Sequence, residues 1–272
     1  MVNCYLILLL SHLLTDFVFQ SESMAKDKQS TNNKKRNRTL FTHSITFLAT
    51  SLLLFAIVEG ITWWPTIVIK PLSWTVFTWL LLISVSHYLV DLCKVIIQNK
   101  LKDKHKWDIL VFVVDQIAHL GIIILTAGLL NRAEFINKLL LLVKFFNSNV
   151  ILTFKPTHGQ LVLIMMCIVI VTTSFSNIFI KISLTSIKMK ILEDEEEIKI
   201  GRYIGAAERI LTVAGIVAGA YEAIAALYAA KTAIRFSEAQ GNTDFGEYFI
   251  LGTSISAILG IVTGITLKRL VG

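Results

Sequence analysis

Gln160–Leu184 reads QLVLIMMCIVIVTTSFSNIFIKISL, twenty-five residues whose only charge is Lys181. A helix that crosses the hydrocarbon core needs about 20 mostly apolar residues. This run is therefore a crossing helix, and the whole composition agrees with it. Over 272 residues, 54% are hydrophobic and 17% charged, with a mean hydropathy of +0.68. A soluble domain averages about 45–50% apolar and about 25% charged. Too few charges remain to cover a water-facing surface. Three prolines and no low-complexity tract argue against disorder. The fold class expected is all-α, a polytopic helical membrane protein with about seven transmembrane helices.

Working outward, the first span is Val2–Gln20, with His12 and Asp16 inside it. It lacks a basic leader and a small-residue cleavage site, so a retained helix is expected. A polar, basic stretch over 21–39 follows. Further spans are expected at Leu40–Val58, Val76–Gln98, Asp108–Leu130, Tyr203–Ala230 and Tyr248–Leu267. Trp63, Trp64, Pro65, Pro71 and Trp74 fall between two of them, where an interfacial loop suits the tryptophans. Leu139–Phe146 is apolar but too short to cross, and suits an interfacial segment. Glu193–Glu197 reads as a solvated helix face. The organisation expected is a four-helix core over 1–130, an interfacial connection over 131–158 and C-terminal membrane helices over 159–272.

Counting Lys and Arg orients the spans. With the N-terminus outside, 18 fall on one side and 7 on the other, Arg209 lying within a span. The richer side is cytoplasmic. The expectation is a multi-pass protein of the cell inner (plasma) membrane, its N-terminus outside and its C-terminus cytoplasmic. The net charge of +7 belongs to those loops, and no nucleic-acid motif accompanies it. Cys4, Cys93 and Cys167 sit apart in apolar runs without a CxxC, so they read as small buried hydrophobes.

Ionisable residues inside crossing helices are costly and by default mark function. Three of the spans carry a pair: His12 and Asp16, His87 and Asp91, Asp115 and His119. Each pair is spaced i,i+4, which puts both side chains on one helix face. His43, in FTHS, opens the second span. The order inverts where the helix direction inverts, so each Asp faces the cytoplasm and each His lies one turn deeper. Four of the six histidines thus share one layer. Imidazole and carboxylate together are ligands for a divalent metal such as Zn, Mn or Fe. His12, His43, His87, His119, Asp91 and Asp115 are the ligand candidates; Asp16, Asp91 and Asp115 are the candidate bases. One metal with an open position, or two about 3.5–4 Å apart, in such a layer makes hydroxide available at neutral pH, and a lipid or phosphoester of the cytoplasmic leaflet is the substrate in reach. Two other readings use the same residues. One is an ion, proton or small-solute transporter; the other is a non-catalytic membrane partner held together by His–Asp glue. Lys94 reads as a basic partner of the layer or as a snorkelling interfacial lysine, with a slight preference for the latter. His105 and His158 read as solvated loop residues.

The C-terminal segment carries Glu208, Arg209, Glu222, Lys231, Arg235 and Glu247 among many glycines and alanines. Ion pairs that fix helix packing are the expectation, with Glu222 pairing to a basic residue of another segment. The smooth Gly/Ala face suits a homo-oligomer or a membrane partner protein. Membrane lipid is the other partner expected, and nucleic acid is not.

SHLLTDFVFQ, Met24-Ala25-Lys26, THS, HYLVDLCK and DQIAH occur in that order. Together they resemble the bacterial membrane family catalogued as domain of unknown function 3307, over about residues 4–125. GAAERILTVAG, YEAIAALYAAKTAIRF and GEYFILGTSIS resemble the C-terminal part of full-length members. The positions matched are His12, Asp16, Phe17, Gln20, Lys26, His43, His87, Asp91, Lys94, Asp115, Gln116 and His119. That resemblance implies a shared site, with Gln20, Lys94 and Gln116 beside the His/Asp set, and no named chemistry. Thr42-His43-Ser44 is also similar to an element of membrane-bound, metal-dependent hydrolases.

Overall fold

The computed structural model describes residues 2–62, 74–101, 104–129, 156–186, 195–241 and 243–271. Among them, every regular element is helical. α1 (Val2–Leu14) ends in a π-helical turn, Thr15–Phe19, and α2 is Glu22–Lys28. α3 is Asn33–Thr62, α4 Trp74–Lys100 and α5 Lys104–Leu129. α6 (His158–Ile170), a second π-turn (Val171–Phe175) and α7 (Ser176–Ser186) form one long rod. α8 (Glu195–Ala218), α9 (Tyr221–Gly241) and α10 (Thr243–Val271) complete the chain.

Among the described residues, five stretches are long and apolar enough to cross a membrane: Asn33–Val58, Val76–Lys100, Lys106–Thr126, His158–Thr185 and Thr243–Leu270. The bent pair Asn3–Phe19 and Glu22–Lys28, with 98° between its arms, makes a sixth if it is one broken span. This is a polytopic all-α fold, with five or six such segments where about seven were expected. Expected span Tyr203–Ala230 is not one helix. It breaks at Gly219, whose φ of 75° lies where a side chain would be strained, and α9 then turns back. Outward-facing Leu53, Leu82, Ile117, Leu125 and Val162 are all more than half exposed, as lipid-facing side chains are. The expected segments at 63–73 and at Leu139–Phe146 lie outside the described residues, as does the expected solvated face of Glu193–Glu197, of which only the helical backbone from Glu195 is described. Trp74 instead opens α4.

The chain divides into two units, Met1–Lys100 with Phe112–Ile164, and Leu101–Val111 with Met165–Gly272. In the first, α3 and α4 are joined by small hydroxyl residues. Ser44 Oγ donates to the Ser84 carbonyl at 2.7 Å, and Ser84 Oγ to the Ser44 carbonyl at 2.8 Å. Each satisfies a polar group that lipid would leave bare. Asn32 Oδ1 accepts from the amides of Lys34 and Lys35 at 3.0 and 3.3 Å, starting α3 seven residues before Leu40. His43 therefore sits three turns into a helix that was expected to begin beside it.

In the second unit, Arg209 is the largest fully buried side chain. Its counter-groups are neutral. Nε donates to the Thr172 carbonyl at 2.6 Å, and the terminal nitrogens donate to Asn177 Oδ1 at 2.6 Å and Ser256 Oγ at 2.9 Å. The π-turn at Val171–Phe175 frees carbonyls from the helical ladder, and the guanidinium takes them up. Beside it, Glu208 pairs with Lys231 at 2.5 Å, the ion pair that packing called for. Arg235 pairs within its own helix, with Glu238. Glu222 and Glu247 are exposed, and no basic side chain among the described residues pairs with Glu222. It opens α9, where a carboxylate favours the helix dipole instead.

The register of these helices fixes their directions. Arg209 meets Ser256, a Cβ on Gly260 would touch Thr212 at 3.2 Å, and one on Gly264 would reach Ile216 at 2.8 Å. Residue numbers rise together, so α8 and α10 run parallel. Glu208 with Lys231 and Thr212 with Tyr228 show α9 running back antiparallel to α8. The Lys268 end of α10 is therefore level with Gly219, at the opposite end of α8 from Glu195.

Candidate metal centre

The pairs read from i,i+4 spacing converge in the first unit. His12, Asp16, His43, His87, Asp91, Asp115 and His119 are all buried, at 8% exposure or less. They come from α1 and its π-turn, α3, α4 and α5. The π-turn widens the end of α1 and carries Asp16 into the layer. The imidazoles form one cluster: ring centres lie 4.8 Å apart for His12 and His119, 4.3 Å for His87 and His119, and 5.1 Å for His43 and His87. Phe47 stacks on His87 at 4.9 Å and closes that side with hydrocarbon.

Hydrogen bonds set the proton positions. His119 Nδ1 lies 2.9 Å from the Asp115 carbonyl, which can only accept. Nδ1 therefore carries the proton, and Nε2 is left with a lone pair. Gln116 Nε2 donates to Asp115 Oδ2 at 3.0 Å, which turns its amide oxygen toward His12 Nε2 at 3.2 Å. His12 Nε2 then donates, and its Nδ1 holds the lone pair. His43 Nε2 donates to Asp16 Oδ1 at 3.1 Å, so His43 orients that carboxylate.

Four buried polar atoms here have no hydrogen-bond partner among the described residues: His12 Nδ1, His87 Nε2, His119 Nε2 and Asp115 Oδ1. Leaving such atoms unsatisfied costs about 1–3 kcal/mol each. His12, His87 and His119 bring ligand atoms within 4.8 Å of one another; so do Asp16, His43 and His87, and Asp16, Asp115 and His119. These His/Asp groups could hold a metal ion. Their donor set of imidazole and carboxylate fits a divalent ion of borderline softness. The backbone and amide bonds to the far ring nitrogens are those that orient histidine ligands.

Two lysines complete the layer. Lys94 Nζ is 2.7 Å from Asp115 Oδ2, so it is a partner of the layer, and the slight preference for a snorkelling role is overturned. Lys28 Nζ is 2.7 Å from Asp91 Oδ2, with only 10% of its side chain exposed. Reading the sequence missed Lys28. It lies in the polar, basic 21–39 stretch, outside every expected span, and the fold at Gln20–Ser21 brings it back. Ser21 Oγ accepts from the Met24 amide at 3.1 Å, an N-cap for a seven-residue helix. So short a helix needs tertiary packing, which the Lys28–Asp91 pair supplies. Asp91 also lies 3.5 Å from His43 Nε2. Gln20 is half-buried at the end of the π-turn. Glu208, Arg209, Glu222, Arg235 and Glu247 belong to the second unit and take no part. His105 lies in the first turn of α5 and His158 opens α6, exposed, rather than standing in loops.

The family model described as "Protein of unknown function (DUF3307)" matches residues 4–146. No curated protein and no solved structure matches the chain. The matched stretch is more than half of the sequence and holds every residue of the His/Asp/Lys layer, so the chain belongs to the DUF3307 family.

Proposed function

We propose that the layer binds one divalent transition metal, Zn, Mn or Fe, through His12, His87 and His119, and that the protein is a membrane hydrolase. Its substrate would be a lipid or other phosphoester. One observation carries this reading: three imidazole nitrogens and a carboxylate oxygen, all buried, lack hydrogen-bond partners in a single cluster. When bound, such an ion acts as a Lewis acid and makes water a nucleophile at neutral pH. The protein's own groups supply the rest. His43 holds Asp16 beside His87, where Asp16 is the base that takes the proton of the attacking water. The water oxygen bonds to phosphorus as the bond to the leaving alkoxy oxygen breaks, and the proton passes from Asp16 to that oxygen. Lys94 is the member of the layer with most access, its side chain 26% exposed, and its ammonium suits an anionic substrate. The test is a panel of phospholipids and phosphomonoesters offered to detergent-purified protein reconstituted with each metal. Turnover by wild type, lost in His87→Ala, is expected; no turnover of any member with any metal would refute the hydrolase.

A second reading has its own observation. Lys94, Asp115, Gln116 and His12 form one hydrogen-bonded chain, the kind of path a proton relay uses. Proton flux in liposomes that persists without metal would favour it.

We also propose an orientation with the C-terminus outside, a reading that the helix directions support. This orientation takes α8 and α9 as crossing beside α10, although neither is among the segments apolar enough to cross by length and composition alone; with the chain before α8 cytoplasmic, Lys231 and Arg235 move to the cytoplasmic end and Lys268 and Arg269 to the outer end. Two basic residues are exchanged for two, so the bias stays at 18 to 7 while the C-terminus moves outside. In a variant whose native cysteines are replaced, Ala220→Cys should react with a membrane-impermeant thiol reagent on intact cells. Ser237→Cys should react only after lysis. The reverse pattern would restore the cytoplasmic C-terminus.

A further inference from the structure

The second unit holds a groove that the metal centre does not use. Ile216 ends α8, Tyr221 and Ile224 begin α9, and Ile261 and Ile265 lie on α10; Lys268 and Arg269 close one end. Its volume is about 360 Å³. The glycine contacts explain why it forms there. Gly264 lets Ile216 lie against α10, and the positive φ of Gly219 sends α9 off so that its first turn makes the third wall. The walls are branched hydrocarbon, and Ile261 and Ile265 remain about 40% exposed beside them.

The mouth has the opposite character. Lys268 Nζ is 3.2 Å from the Tyr221 hydroxyl and 5.4 Å above its ring, so the ammonium is held over the groove's end. Arg269 stands beside it. Among the described residues neither pairs with a carboxylate, and Glu222, next to Tyr221 in sequence, engages neither. Lys268 and Arg269 fall in the last turns of Thr243–Leu270, one of the segments apolar enough to cross, and so at headgroup level. A hydrocarbon slot with two unpaired cations and a tyrosine at its headgroup end is complementary to an anionic amphiphile. A free phosphate would have no use for the isoleucines, and a zwitterionic lipid would set its own cation against the pair.

We propose that this groove is a binding site for one anionic phospholipid, its phosphate on Lys268 and Arg269 and one acyl chain along Ile224, Ile261 and Ile265. The proposal is independent of the metal centre. The test is native mass spectrometry of the full-length protein in detergent with phosphatidylglycerol or phosphatidylcholine of the same chain length. One phosphatidylglycerol should be retained at least tenfold more strongly than phosphatidylcholine, since juxtamembrane Lys and Arg each favour anionic lipid. Lys268→Gln with Arg269→Gln should bring the two lipids level; both positions are exposed, so folding is spared, as an unchanged unfolding temperature would show. Arg235→Gln, which removes a cation elsewhere in the unit, should change nothing, and His87→Ala should keep the lipid. Equal retention of both lipids by wild type would overturn the site. So would an equal loss from Arg235→Gln, which would mark a diffuse charge effect, or displacement by inorganic phosphate alone.

Discussion

Detergent-purified protein should contain about one equivalent of a divalent transition metal, and a folded His87→Ala variant should contain none. Counting the imidazoles as neutral, as metal ligation requires, the layer holds three carboxylates, Asp16, Asp91 and Asp115, and two ammonium groups, Lys28 and Lys94. Its net charge is one negative. One divalent ion reverses that to one positive, which a single hydroxide or a substrate anion then balances. Two ions would leave three positive charges among buried helices, a cost that buried charge does not repay without partners. Asp91 and Asp115 each already hold a lysine, which leaves Asp16 as the carboxylate without an ammonium. His87 is central: its ring contacts those of His12, His43 and His119, and its Nε2 is 3.4 Å from Asp16 Oδ1. Its loss takes one donor from a three-imidazole set, and catalytic sites keep only three protein ligands. Mass-spectrometric metal analysis beside the unfolding temperature decides it. Two equivalents would refute the charge argument, and none in wild type after reconstitution would refute the metal centre itself.

What the sequence discloses and what it withholds divide along a physical line. The His/Asp layer was legible because an α-helix converts i,i+4 spacing into a shared face, and because charge in a crossing helix has so few explanations. Lys28 was not, since its partner Asp91 is 63 residues away and its surroundings are hydrophilic. Only the 98° bend after α1 tells that this polar segment folds inward. Arg209 shows a different limit. Its need for a partner was plain, but the partner is a set of carbonyls released by a π-turn, and a one-residue change in helical register leaves little trace in composition. The hydroxyl-rich VTTSFSN within the most apolar run of the chain was the trace available. The turn at Gly219 was hidden by its neighbours, because an Ala-rich stretch on either side reads as one continuous helix. That single break reverses α9 and with it the side on which the C-terminus is proposed to lie.

Asp91→Asn should destabilise the protein by about 3–5 kcal/mol, the cost of stranding one partner of a buried ion pair. Asp91 is 3% exposed and Lys28 8%, so water does not screen the ammonium left behind. Lys28→Met alone strands the carboxylate, and it should cost somewhat less because His43 Nε2 stands 3.5 Å away to share the charge. The double variant, Lys28→Met with Asp91→Asn, removes both charges and should recover most of the loss. Unfolding in detergent of the wild type, both single variants and the double variant closes the cycle. A double variant as unstable as the sum of the singles would show that the pair is not coupled, and that α2 is held against α3 and α4 by other contacts. Recovery of stability has a second consequence for the site. With Lys28 and Asp91 both gone, the net charge of the layer is unchanged and the three-imidazole set is intact. The double variant should therefore still bind one metal, which separates what the lysine does for the fold from what the histidines do for the ion.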